Sequence, residues 1–320
     1  MKKSIKYFSV FLLAVSVAKV AHAYPDKPIK IIIPSVPGGV SDAVGRLYAE
    51  EISKELKNPV IPENVPGVGT IMAIKRALNA EADGYTVPIF ANTIVTMPYV
   101  DKKAGFKTSD FTGVSYLSKM PLALVVGASS PYQTLQDLVT FAKKNPGAVT
   151  FSSVGVGTTS HLPAELFAQN AGVNLQMISY KGSAQAIPDV VSGRVDFMMS
   201  NAATVGELLK IGKVKALATT TKERNAHFQG VPTFTELGYS DVVYELILGL
   251  MVKQGTSPDV IAKLSAAAEK VKHYPHVQRR LHELGQDLPA EDSVPKFNQF
   301  LANEEKVMSK VVKKANIVIE

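Results

Sequence analysis

Short β-branched runs that give way to a glycine-rich loop and then to an amphipathic helix recur along this chain, and that order admits few folds. Residues 29–34 (IKIIIP) read as a buried strand and PSVPGGVSD as a loop. Ser41 and Asp42 then open a helix whose apolar face is Val44, Leu47, Tyr48, Ile52 and Leu56. The device repeats with a strand at 60–61, the loop ENVPGVGT and a helix through Ile71, Ile74 and Leu78. It appears again with a strand at 149–154, the loop GVGTTS and a helix over 161–170. Further strands are expected at 85–91, 122–126, 175–180, 195–199, 214–219 and 246–252, with helices at 184–191 and 205–211. From Pro258 onward the pattern is helical, with caps at Ser257 and at Glu291-Asp292-Ser293. Such alternation predicts an α/β fold in which mostly parallel sheets are flanked by helices. Pro88 inside the strand at 85–91 predicts an edge strand or a bulge, because proline cannot donate to a ladder.

The pattern restarts after the strand at 122–126. The expected organisation is therefore two α/β lobes, one from residues 24–123 and 246–320, the other inserted as residues 124–245. Two strands, near 122–126 and 246–252, are expected to cross between them. A two-strand hinge between lobes makes a clamshell with a cleft, a favoured place for a small ligand.

A net charge of +7 over 320 residues first suggests a nucleic-acid partner. Lys2, Lys3, Lys6 and Lys19 all fall in residues 1–23, however, which hold no acid, and without them the excess is +3. That stretch reads as a signal peptide: a basic MKKSIK start, an apolar run over 7–18, and Ala21-His22-Ala23 before the cut. The run is shorter than the roughly 20 residues of a membrane-spanning helix. With the leader removed, no basic cluster with interleaved aromatics remains, so nucleic acid is not an expected partner. The chain has no cysteine, which excludes disulfides, thiol nucleophiles and cysteine-ligated metals, and a lipid anchor at the cut is not expected. The expectation is a soluble, exported, monomeric protein of the periplasm.

Glycines in the three loops let a ligand approach the backbone closely, and each helix start offers unpaired N–H groups and a partial positive charge. Fixed cations are scarce there: Lys181 lies at a strand end and Arg46 one turn inside the first helix. The inferred pocket takes an anion through amides, through the hydroxyls of Ser35, Ser41, Thr70, Ser153, Thr158 and Thr159, and through ordered water. Asp42 either orients the first loop or complements its helix dipole. His161 either donates to the ligand or caps its helix, Tyr180 either stacks on the ligand or fills core, and Asn201 either contacts the ligand or caps the next helix. Asp196 reads as structural. Enzyme motifs fail: residues 155–160 hold only part of a dinucleotide fingerprint, and no phosphate-binding P-loop or serine elbow is present. His282-Glu283 lacks the second histidine of H-E-x-x-H. The one close histidine pair, His273 and His276, sits on a polar helix and reads as a solvated face, so no metal and no cofactor are expected.

The runs YPDKPIKIIIPSVPGGVSDAVGRL, ENVPGVGT, ADGYT, GVGTTSHLPAELF, YKGSAQAIPDVVSGRVDFMMSN and KVKALATT, in this order, resemble the substrate-binding proteins of tripartite tricarboxylate transporters, the Bug or TctC family. The resemblance implies a type II periplasmic-binding-protein fold, a small organic carboxylate as ligand and a two-component membrane permease as partner. It also implies which residues hold the ligand. In one lobe they are Ser35, Val36, Gly38, Gly39, Ser41 and Asp42, supported by Gly67, Gly69, Thr70, Asn92 and Thr93. In the other they are Ser153, Gly155, Gly157, Thr158, Thr159, His161, Tyr180, Lys181 and Asn201. The chain departs from the family pattern at Ser35, Thr70, Pro88 and YELILGL. A dicarboxylate, a tricarboxylate, an amino acid or an aromatic acid all suit two facing amide-rich loops, and the lack of tryptophan favours an aliphatic acid. A receptor serving a membrane sensor, or an enzyme acting on an anion in the same cleft, are the alternative readings.

Overall fold

A computed structural model of the chain describes residues 24–67, 70–289 and 293–318; the expected leader, Gly69 and the acidic pair Glu291-Asp292 lie outside them. In order, the chain forms β1 (Ile29–Ile33), α1 (Val40–Leu56), β2 (Val60–Asn64), α2 (Ile71–Leu78), β3 (Thr86–Phe90), α3 (Thr93–Val100), β4 (Phe111–Gly127) and α4 (Leu135–Lys144). There follow β5 (Val149–Ser153), α5 (Leu162–Ala171), β6 (Leu175–Ser179), α6 (Ser183–Val191), β7 (Phe197–Asn201), α7 (Ala202–Lys210) and β8 (Val214–Thr219). The chain ends with β9 (Glu245–Lys253), α8 (Pro258–Lys272), α9 (Pro275–Glu283) and α10 (Val294–Lys314). The strands run β2-β1-β3-β9-β4-β7-β5-β6, and β8 pairs with β4.

β4 belongs to both halves of this sheet. From Phe111 to Pro121 it pairs antiparallel with β9, and from Leu122 to Gly127 it lies between β7 and β8. The strand expected at 122–126 is thus only the far end of a longer one. Its first part escapes sequence reading because Ser115, Ser118 and Lys119 break the apolar run, and because the register shifts near Gly113 and Tyr116. Ser115 and Ser118 are nonetheless buried, and the Ser118 hydroxyl donates to Gln286 Oε1 at 2.8 Å. β9 does not cross between halves, contrary to expectation: it pairs only with β3 and the first part of β4. The return passes instead at Thr220 and Tyr244, where the Tyr244 N–H donates to Thr220 O and the Thr220 N–H to Leu122 O.

β3 is an interior strand, not the edge that Pro88 suggested. Pro88 is the last residue in register with β1, opposite Ile32, and pairing with β9 begins one residue later at Ile89. The missing N–H therefore falls where one ladder ends and the other begins. Pro98 is accommodated in a similar way inside α3, a helix that the β-branched run TIVT conceals. The Ile94 carbonyl that a Pro98 N–H would have served accepts from the Thr108 hydroxyl at 3.4 Å.

The first half is packed by α1, α8 and β-branched strand residues, with Val44, Tyr48 and Ile52 buried as the helical spacing predicts. The buried Tyr48 hydroxyl donates to Leu117 O of β4 at 2.8 Å. Phe151, Phe167, Phe197 and Phe234 fill the second half. A separate cluster joins the halves: Val100 of α3, Leu122 of β4, Leu162 and Leu166 of α5, Tyr244, and Met308, Val311 and Val312 of α10. α10 also lies close on the sheet, where a Cβ on Gly249 would come within 2.2 Å of the Phe297 ring.

Beside this junction Asn92 is fully buried and fully bonded. Its Oδ1 accepts the Ile247 N–H at 2.8 Å, and its Nδ2 donates to Glu245 O and to Glu304 Oε1. Burial pushes the Glu304 carboxyl up to about 7, the neighbouring Glu245 adding to the shift and the Asn92 bond opposing it. An acid raised in the folded state binds a proton on folding, so its contribution is highest below its ordinary range near 4.5 and falls as pH rises through 7. Wild type should therefore lose up to about 3 kcal/mol relative to Glu304→Gln between pH 4.5 and pH 8. Denaturant unfolding of both proteins across that range checks this; a difference independent of pH contradicts it.

Candidate ligand-binding site

Strand direction places the loops. β1, β2 and β3 are mutually parallel, and β3 runs antiparallel to β9 with Phe90 toward the Glu245 end. β7 runs antiparallel to β4, ending with Asn201 opposite Leu122, and β5 and β6 run parallel to it. The carboxyl ends of both parallel sets therefore point at the same junction, where β4 passes from one half to the other. Ligands of open α/β sheets sit outside the carboxyl ends of the strands.

The first loop is organised by Asp42. This buried carboxylate accepts from the Gly38 N–H at 2.9 Å, from Arg46 Nε at 2.9 Å and from Asn64 Nδ2 at 2.8 Å. Asn64 Nδ2 also donates to Ser35 O, and its Oδ1 accepts from Arg46 at 2.7 Å. Burial pushes the Asp42 carboxyl up, but the bonds from Gly38, Asn64 and Arg46 outweigh it and hold the group below the ordinary carboxylate range. Asp42 thus takes the loop-orienting role. Gly38 adopts φ +89°, which suits only glycine at low cost. Gly39 is the N-cap of α1 and gives it no side-chain cap. The Ser35 hydroxyl is buried with no partner among the described residues. Val36 is exposed and Ser41 half-buried.

The second loop ends in Thr70, whose φ of +65° lies in the left-handed region that disfavours a β-branched residue. Here a glycine would be relaxed, a physical reason for the family pattern from which Thr70 departs. Its hydroxyl lies 3.1 Å from that of Thr93 at the start of α3. Gly67 is exposed at the near side of this loop. Asn92, by contrast, has all its side-chain atoms bound to β9 and Glu304, as described above.

In the second half, Ser153 Oγ is a hub, meeting the Gly155 N–H and the hydroxyls of Thr158 and Ser160 within 3.3 Å. Gly157 has φ +74°, and a Cβ there would come within 3.0 Å of Val100, so the loop rests directly on α3 of the other half. His161 is buried, accepts the Gly157 N–H on Nδ1 at 3.1 Å and stacks on Phe151. Its other ring nitrogen faces Glu165 at 3.6 Å. It does not cap α5 by a side-chain bond, and its bond from Gly157 holds the loop's shape. Thr159 is half-buried, and Lys181 exposed before α6. The Tyr180 hydroxyl donates to Asp189. Asn201 Oδ1 caps α7 by accepting from Thr204 N, and Asp196 accepts from Thr150, a structural role.

Side-chain capping differs among the helices. α4, α7, α8 and α10 each begin with a side chain that bonds a first-turn amide: Thr134, Asn201, Ser257 and Ser293. α1, α2, α3, α5 and α6, which start at the junction loops, have none, and neither has α9, whereas α7 is capped although it too starts at the junction. Backbone carbonyls take some of their first-turn N–H groups, those of Ile94, Val95, Leu162 and Gln185, and an anion suits first-turn amides that no carbonyl takes. Asn64 and Ser160 are the contributors that sequence reading missed. Asn64 was legible in principle, since parallel β1 and β2 put it opposite Ile33 at the mouth of the first loop.

Comparison with known proteins agrees with this fold. The family described as tripartite tricarboxylate transporter family receptor matches residues 44–317. Protein BugT of Bordetella pertussis is 31% identical over 273 residues, covering 83% of this chain and 83% of BugT. MatC of Rhodopseudomonas palustris, solved with bound malate, shares 26% identity at a TM-score of 0.75, over 90% of this chain and 100% of MatC. R. palustris Rpa4515, solved with adipate, shares 26% identity at a TM-score of 0.78, over 92% of this chain and 100% of Rpa4515.

Replacing Asp42 by Ala strands the Gly38 amide and the Asn64 side chain. The variant is expected to lose about 1–3 kcal/mol of stability, the scale of a buried polar group left unpaired. Urea unfolding measures it, and an unchanged midpoint removes Asp42 as the organiser of the loop.

Proposed function

Because this chain belongs to the tripartite tricarboxylate transporter receptor family, whose members are periplasmic solute-binding proteins rather than enzymes, we propose that it captures an aliphatic dicarboxylate between two lobes and delivers it to a two-component permease. The fold is that of type II periplasmic binding proteins. The observation that carries the proposal is the set of uncapped helix starts, α1 to α3 in one half and α5 and α6 in the other, directed at one junction. A diacid has one charge for each set.

In this reading, one carboxylate takes the first-turn amides of α1 with the Ser35 and Ser41 hydroxyls, supported by Thr70 and Thr93. The other takes the loop from Ser153 to His161 and the start of α6 beside Lys181. Asp42, Asn92 and His161 serve by holding the loops. Malate in MatC and adipate in Rpa4515 support a small dicarboxylate. The lobes, residues 24–123 with 246–320 and residues 124–245, close by a shift between open and closed populations. The protein is exported, cut after Ala23 and works as a monomer.

The test is thermal unfolding against malate, adipate, citrate, amino acids, aromatic acids and phosphate. A ligand at 100 times its dissociation constant stabilises by roughly 2.7 kcal/mol. A shift with a dicarboxylate recovered unchanged is the expected result; a shift with phosphate alone, or a converted product, overturns the proposal. Gly39→Asp sharpens it. Gly39 has an extended backbone that aspartate adopts freely, and Asp is a good N-cap. The variant should fold at least as stably as wild type while its own carboxylate repels the ligand's, weakening binding on the order of tenfold or more. Undiminished affinity places the carboxylate elsewhere.

A further inference from the structure

A cavity of about 970 Å³ opens between α7, β8, the turn at Ala226–Phe228 and the end of α9, and none of the loop residues assigned to the ligand lines it. His227 and His282 line it and meet Asp287, the three coming from separate parts of the chain. His227 lies in the turn that follows β8, His282 in the last turn of α9, and Asp287 in a two-way backbone pairing with Lys119 of β4. Each offers one ligand atom, and the three atoms lie within 4.8 Å of one another. The two imidazoles stack with centroids 4.6 Å apart. His227 Nε2 is 3.2 Å from Asp287 Oδ1.

The cluster has the support that metal ligands usually have. Asn225 Nδ2 donates to Asp287 Oδ2 and Asn225 Oδ1 accepts the His227 N–H, so one side chain orients both. Burial pushes the Asp287 carboxyl up, but bonds from His227 and Asn225, with the charge of Lys119, outweigh it and hold the group below the ordinary range. A His227–Asp287 hydrogen bond accounts for those two residues alone. It leaves unexplained why the exposed His282 stacks its ring against His227 on the cavity side.

We propose that His227, His282 and Asp287 form a site for a divalent transition-metal ion of the zinc class, with its remaining coordination positions open to the cavity. Two imidazoles and one carboxylate suit such ions and not calcium or magnesium, which take oxygen ligands. Metal bonds near 2.1 Å require tetrahedral ligand atoms about 3.4 Å apart, so the group must contract by about an ångström. His282, exposed at a helix end, has the freedom to do so. Metal here ties the segment returning from the second half to the C-terminal helices and to β4. The proposal uses none of the dicarboxylate residues, so either can fail alone.

The purified protein, made without a histidine tag and stripped with a chelator, is titrated with Zn²⁺ against a chromophoric competitor. One equivalent should bind, and thermal unfolding should move upward with it. Because His282 is exposed, His282→Gln should leave the metal-free protein's unfolding unchanged while weakening Zn²⁺ binding on the order of 10- to 100-fold or more. Asp287→Asn should weaken Zn²⁺ binding likewise, with the metal-free protein also destabilised through the bonds to His227 and Asn225. His273→Gln with His276→Gln, the exposed pair on the neighbouring segment, should leave binding intact. No binding by wild type, or binding kept in His282→Gln and lost in the His273/His276 variant, overturns the proposal.

Discussion

Strand β4 runs through both halves of the sheet without a break, and the positions of the loops follow from that. Its first part is bound to β9 and its last part to β7 and β8, with Pro121 as the final residue of the first ladder. A strand has one direction, so the strands antiparallel and parallel to it in each half inherit their direction from it. Both sets of parallel strands end at the junction, and both sets of glycine-rich loops face each other there. The chain passes between the halves near Pro121 and Leu122 and near Thr220 and Tyr244, and the two crossings are bonded to each other through Thr220.

The loops themselves combine a rigid frame with unpaired donors. Asp42 and Ser153 each bind several groups of their own loop and fix its shape. Their own polar atoms are consumed in doing so, while no side chain caps the helices beside them. This division suits a protein that must bind and release, because an anion on amides and hydroxyls is held by partial charges. A buried lysine or arginine at that place would bind harder and release more slowly.

Most of this was legible in the sequence because periodicity reports burial directly. The face of α1 through Val44, Tyr48 and Ile52 and the strand IKIII need only local spacing to be read. The first part of β4 was not legible, since Ser115 and Ser118 look polar until the partners that satisfy them are known. α3 and α4 drew no prediction; TIVTMPYV has no helical stripe, because all but one side of that helix is covered. For the site, the glycine loops were visible but the division of labour inside them was not. Asn92 and His161 are expected from the sequence as ligand contacts, and the fold adds that Asn92 bonds β9 and Glu304 and that His161 bonds Gly157. His227 and His282 were likewise invisible as a pair, being far apart in sequence.

The helix α10 lies across the junction, with Phe297 on β4 and β9 and with Met308, Val311 and Val312 against α5 and the crossing strands. The first half is moreover built from both ends of the chain, since β9 inserts between β3 and β4. A nascent chain therefore carries an incomplete sheet, with the edges of β3 and β4 unpaired, until nearly its whole length has been made. Folding of such non-local pairings is slow, and the open edges are exposed meanwhile. Assembly of the first half therefore waits on β9 and on the C-terminal helices that pack against it.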